Sequence, residues 1–82
     1  MNYSGEPTGV DLPRRFYKLE EVAHQLATSI AQVYALVRSG ELPAIKIGGR
    51  GQWRVEDSAF EKWIQQQYDA TREWVQQNPL GA

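Results

Sequence analysis

The sequence predicts an α+β domain, mostly α, built from two short helices, a two-stranded β-hairpin and a long C-terminal helix. Three observations lead there. Leu19, Val22, Ala23 and Leu26 recur at i, i+3, i+4 and i+7, and Val33, Leu36 and Val37 resume a helical spacing after a short break. That is the period of helices with one apolar face. Ala44-Ile45-Lys46-Ile47 and Gln52-Trp53-Arg54-Val55 alternate with period two on either side of Gly48-Gly49-Arg50-Gly51, the pattern of a hairpin. Phe60, Trp63, Ile64, Tyr68, Thr71, Trp74 and Val75 then return to helical spacing ahead of Asn78-Pro79.

Residues 1–15 hold Gly5, Pro7, Gly9 and Pro13 with few apolar side chains, and read as a flexible leader. Residues 16–78 form the domain and 79–82 a tail. The first helix is expected over about 18–27, with Glu20 and Glu21 at the positive end of its dipole. A turn follows at Thr28-Ser29. The Ser29 hydroxyl is placed to accept the free N–H of Gln32 and so start the second helix, which runs to about Ser39. Gly40 ends it in a left-handed cap, and Pro43 forces the chain to extend. Alternation predicts that Ile45, Ile47, Trp53 and Val55 face the core. Lys46, Gln52 and Arg54 then share the outer face, with Arg50 at the tip. The last helix is expected from near Asp57-Ser58, with Ser58 and Glu61 as a capping box. About 20 residues span roughly 30 Å, more than closing the core needs. Phe60, Trp63 and Ile64 suffice for that. Trp74 and Val75 lie beyond it, and such an apolar overhang suggests either folding back on the leader or contact with another subunit.

Eighty-two residues make one small domain, which buries only about 60% of its unfolded surface. There is no cysteine, so disulfides and thiolate metal sites are excluded. The single histidine, His24, builds no metal site alone and reads as an exposed bystander. No apolar run approaches the roughly 18 residues of a membrane span, and no signal pattern opens the chain, so a cytoplasmic protein is expected. No nucleophile–base pair, metal cluster or carboxylate pair can be assembled, so neither catalysis, nor a cofactor, nor a small-molecule substrate is expected. Gly48-Gly49-Arg50-Gly51 leads into a strand and lacks the Gly-Lys-Ser/Thr ending of a phosphate-binding loop.

The net charge of −1 is unevenly spread. Residues 14–54 hold seven cations (Arg14, Arg15, Lys18, Arg38, Lys46, Arg50, Arg54) against three anions, a balance of +4. The rest hold two cations against seven anions, a balance of −5. Segregation of this kind points to a charged partner more directly than the net value does. Two helices with a tight turn, followed by a basic hairpin, are an arrangement for gripping double-stranded DNA.

The segment from Leu19 to about Trp63 resembles the small excisionase-family DNA-binding domains of phages and prophages, relatives of the MerR-type winged helix-turn-helix. The residues that carry the likeness are Glu21-Val22-Ala23 and Leu26, then Ser29 and Val33-Tyr34. Val37-Arg38-Ser39-Gly40-Glu41-Leu42-Pro43 follows, with Trp53-Arg54-Val55 after it. The run Arg-Ser-Gly-Glu-Leu-Pro is the most specific piece. The resemblance implies that the second helix enters the major groove while the hairpin wing lies along the minor groove or backbone. By position, Ser29, Ile30, Ala31, Gln32, Tyr34, Ala35 and Arg38 would face the groove, and Lys46, Arg50, Gln52 and Arg54 would serve the wing. It also implies a recombination directionality factor that bends DNA and biases an integrase toward excision.

Ala27 stands where the family commonly has a turn glycine, and Ala35 where it commonly has a basic residue. Only Gln32 and Arg38 can attempt bidentate base readout, worth about 1–3 kcal/mol per base. Affinity is therefore expected mainly from phosphates and groove shape. Arg38 reads equally as a cap for the second helix, Tyr34 equally as half-buried packing, and Arg14, Arg15 and Lys18 equally as a basic arm or a solvated helix entry. Trp53 is read as core. The segregated charge and long last helix fit a head-to-tail contact between copies on DNA. A transcriptional regulator of the same fold, and a protein-interaction module such as an antitoxin or adaptor, are the rival readings.

Overall fold

The computed structural model describes residues 14–79, so the glycines and prolines at 5–13 and the tail at 80–82 lie outside the described residues. The elements run β1 (Phe16–Lys18), α1 (Leu19–Leu26), α2 (Ile30–Arg38), β2 (Ile45–Ile47), β3 (Gln52–Glu56) and α3 (Asp57–Gln77). This is a winged helix-turn-helix, and it contains one strand more than the hairpin requires. β3 is central in an antiparallel sheet of order β1-β3-β2. β1 pairs through Phe16 with Glu56, Tyr17 with Val55 and Lys18 with Arg54.

Leu19, Val22, Ala23, Val33, Val37, Leu42, Val55, Phe60 and Trp63 form the core. Both short helices bury the stripes that their spacing requires. The turn between them depends on Ala27, which is left-handed at φ 55° and ψ 44°. The Thr28 N–H then reaches the Ala23 carbonyl at 3.0 Å, closing the end of α1. The Ser29 Oγ accepts the Gln32 N–H at 3.1 Å, as expected of a cap. Gly40, at φ 83°, turns the chain so that the Leu42 N–H bonds the Leu36 carbonyl at 3.1 Å. That bond draws Leu42 into the core, where it is fully buried.

Two expectations need correction. The first concerns the wing. β2 pairs Ile45 with Arg54, Lys46 with Trp53 and Ile47 with Gln52. Residues opposite one another in a sheet share a face, so Ile45 and Ile47 lie on the outward face with Gln52 and Arg54. They are 51% and 44% exposed. Lys46 lies on the other face, beside Trp53. The cause is the connection at 48–51, with Gly48 at φ 65° and Gly51 at φ 73°. Its length sets Ile47 opposite Gln52 rather than Trp53, and a slip of one residue reverses every side chain on a strand. Trp53 still packs against the core, as does Tyr17.

The second concerns the start of α3. Glu56 is its N-cap and makes no side-chain cap bond, so Ser58 and Glu61 form no capping box. β1 does that work. The Asp57 N–H bonds the Arg15 carbonyl at 2.8 Å, and the Asp57 carboxylate accepts the Tyr17 hydroxyl at 2.7 Å. The cap expected of α3 has a partial counterpart at α1, where Glu21 Oε1 reaches back to the Lys18 N–H at 2.7 Å.

Candidate nucleic-acid interface

α2 buries Val33 and Val37. At 100° per residue the middle of its opposite face falls on Ala31, Ala35 and Arg38, with Ile30 and Tyr34 on one flank and Gln32 on the other. Ser29, Ile30, Ala31, Gln32, Tyr34 and Arg38 are all exposed, as an interface requires. Arg38 does not cap its helix. The Ser39 Oγ bonds the Leu36 carbonyl at 3.0 Å in that role. Instead Arg38 Nη1 donates to the Tyr34 hydroxyl at 3.1 Å, with the guanidinium 5.6 Å from the ring centroid. The pair forms one unit in which the Tyr34 ring orients the guanidinium. A guanidinium carries five N–H donors, so others remain to meet a phosphate or a base edge.

The wing places Arg50 in the exposed turn and Gln52 at the start of β3. Arg54 is half-buried, and its Nη1 donates to the Trp53 carbonyl at 2.9 Å. Ile30 and Tyr34 of α2 meet Gly51, Gln52 and Arg54 across a cleft of about 360 Å³, whose floor includes Lys18, Leu19 and Glu20. Four of the residues singled out from sequence therefore converge on one cleft. Ser29, Ala31, Gln32 and Arg38 continue the surface along α2, and Arg50 extends it at the tip. Lys46 is exposed but stands on the opposite face of the wing from Arg54.

The sequence left Lys18 open between a basic arm and a solvated helix entry, and the sheet gives it a definite place. Lys18 lies directly opposite Arg54. Like charges facing across a sheet are unfavourable. The nearby carboxylate on that face, Glu56, is held by Arg14 at 3.3 Å, while Glu20 is the carboxylate in the cleft lining. Two cations aimed at the same space suit a polyanion. The signal in the sequence was the three residues of β1, too short to show a period of their own.

Tyr17 is the group whose titration is displaced. Its bond to Asp57, then burial, hold its pKa above the ordinary 10.0. It braces β1 against α3 and faces away from the cleft. Among the described residues, no cluster of His, Asp or Glu is arranged to hold a metal ion, and no helix is long and apolar enough to cross a membrane.

A basic sheet edge set against an exposed second helix is the layout of a DNA-binding domain. The model of the helix-turn-helix domain family matches residues 16–68. The chain belongs to that family, and membership supports DNA as its partner. No curated protein and no solved structure matches it.

Proposed function

We propose that this protein is a DNA-binding accessory factor of the excisionase type, a recombination directionality factor acting on double-stranded DNA in the host cytoplasm. It occupies repeated sites beside an attachment site, bends the duplex and favours excision by a partner integrase. It performs no chemistry itself. α2 enters the major groove through Ser29, Ile30, Ala31, Gln32, Tyr34 and Arg38, while Arg50, Gln52 and Arg54 follow the backbone of the adjacent minor groove. Lys46 reaches the same duplex only from the far face of the wing.

The observation that carries this reading is the composition of the exposed α2 face against that of the sheet. Two of the three residues at the middle of the helix face are alanines. The cations Lys18, Arg50 and Arg54 gather at the sheet and wing. Such a surface gains affinity from phosphates and groove shape more than from base edges. A factor of this kind obtains specificity from neighbouring copies and from a recombinase already bound nearby.

Footprinting on the DNA that flanks the encoding gene tests the proposal. Repeated protected sites next to an integrase gene are expected. A lone protected promoter site overturns it in favour of a transcriptional regulator. No protection at low salt overturns DNA binding and leaves a protein-interaction module.

A further inference from the structure

α3 leaves the core midway. Phe60 and Trp63 are buried, whereas Tyr68, Trp74 and Val75 further along are 66%, 57% and 37% exposed. Ile64, Gln67, Tyr68, Thr71, Trp74, Val75 and Asn78 fall within one stripe about 120° wide, taking 100° per residue. The stripe carries no charge. Lys62, Asp69 and Glu73 lie on the opposite face, and Arg72 at its edge is paired with Asp69 at 3.4 Å. The first half of the stripe is concave. Leu26 of α1 joins Trp63, Ile64, Gln67, Tyr68 and Thr71 in an apolar groove of about 320 Å³. The second half is convex, because Trp74 and Val75 project from the helix where nothing else in the described residues flanks it.

We infer that this stripe joins two copies of the chain through an antiparallel, two-fold pairing of α3, each copy's Trp74 and Val75 lying in the other's groove. Groove and plug sit on one helix, so reversing the second helix about the stretch between Tyr68 and Thr71 matches both contacts at once. Tyr68 then faces the second copy's Thr71, and Ile64 faces its Val75. A contact in which residue i meets j and j meets i is isologous and closes at two copies. Spacings of four and three residues from Ile64 through Tyr68 and Thr71 to Val75 are those of a helix–helix seam. The charge-free stripe brings no like charges together.

The Trp63 side chain supplies a second sign of an open face. It lines the groove, and its indole N–H is a buried donor without an acceptor among the described residues. In the reversed pairing the second copy's Gln77 and Asn78 lie within a turn of its level, and each carries an amide oxygen.

The area sets the strength. Aromatic side chains bury about 150–250 Å² each, and Tyr68 and Trp74 are more than half available. With Leu26, Ile64 and Val75 the pairing covers on the order of 1,000 Å² in total, the lower edge for a specific interface. A weak dimer follows, reinforced when DNA holds two copies close together. This pairing takes the place of the head-to-tail contact expected from the segregated charge. It goes beyond the excisionase reading and does not need it, because the dimer is read without DNA. If both hold, paired sites are inverted rather than direct.

Sedimentation velocity on the full chain, from about 1 to about 500 micromolar, tests it, because a weak dimer dissociates within that range. A concentration-dependent monomer–dimer equilibrium is expected. Val75→Glu and Thr71→Glu weaken it roughly tenfold or more, since a carboxylate must be desolvated against apolar surface. Both positions are exposed, so circular dichroism and melting temperature stay unchanged. The chain has no cysteine, so mixing Tyr68→Cys protein with Thr71→Cys protein reports the geometry. Oxidation is expected to give the mixed dimer in excess over either alone. A monomer at every concentration overturns the inference and leaves the stripe to the chain's own first residues or to another protein. A dimer indifferent to both glutamates, or one without the mixed crosslink, overturns it as well.

Discussion

Ala27 occupies a left-handed backbone position at φ 55°, a conformation that costs a residue with a Cβ about 1–2 kcal/mol and glycine almost nothing. Its side chain is exposed, so removing it forfeits no packing. Ala27→Gly is expected to raise the unfolding free energy by about 0.5–1 kcal/mol, less than the full strain because glycine is also freer when unfolded. Urea denaturation measures this, and an unchanged or lower midpoint contradicts the strain. The turn glycine common in the resembling family therefore has a mechanical reason here. Tyr17 gives a second test at the same scale. Its hydroxyl is bonded to Asp57 at 2.7 Å, and its pKa is raised because the fold favours the neutral phenol. The stabilisation is complete below the unfolded value of about 10 and is lost as pH rises through the folded value. Tyr17→Phe is expected to lower stability at neutral pH and to flatten that alkaline decline. A variant whose alkaline limb matches the wild type assigns the decline to another group.

The wing shows what a sequence can and cannot fix at the level of an element. Alternation located both strands and the tip, but not which face each strand presents. That choice was made by the connection at 48–51, where one residue more would have turned Ile45 and Ile47 inward. The register yields a discriminating expectation. Arg54→Ala is expected to reduce the magnitude of the slope of log affinity against log salt by about 0.9, the value for one phosphate contact. Lys18→Gln should do the same, since Lys18 faces the same space. Lys46→Ala, from the far face, should change the slope less. Gel shifts at rising salt read all three, and equal losses from Lys46 and Arg54 contradict the register. In each case the loss is expected on every DNA sequence alike, as phosphate contacts carry no sequence information. The helices were legible because their stripes are local. β1 was not, because its three residues are held by β3 and by Asp57 some forty positions away. The cap of α3 differs from expectation for the same reason: a hydroxyl at the right spacing was present in Ser58, yet the bonds to Asp57 came from Tyr17 of β1 and from Arg15 just before it. In the candidate site, the residues on α2 came from the family resemblance and Arg50 at the wing tip from the hairpin pattern, whereas the place of Lys18 beside Arg54 needed the sheet.

Across the whole molecule, the division of charge lets a chain of net charge −1 approach a polyanion in one orientation. Lys18, Arg38, Arg50 and Arg54 lie along the cleft and its extensions. Glu61, Asp69 and Glu73 belong to α3, which closes the core from another side. An anionic duplex is attracted by the first surface and repelled by the second, so the field orients the encounter before any contact forms. If Lys18, Arg38, Arg50 and Arg54 each meet a phosphate, as proposed, log affinity should fall against log salt with a slope near −3.6. Between 50 and 200 mM salt that slope amounts to roughly a 150-fold loss. The size of the slope separates the readings of this surface. A value well short of −3.6 with tight binding retained would mean that Gln32 and the apolar flank of α2 carry affinity through base edges, contrary to the alanine-centred face. A value near −3.6, with similar affinity for unrelated duplexes, places the energy in the backbone. Specificity must then come from the arrangement of copies, and the α3 stripe is the surface on which that arrangement depends.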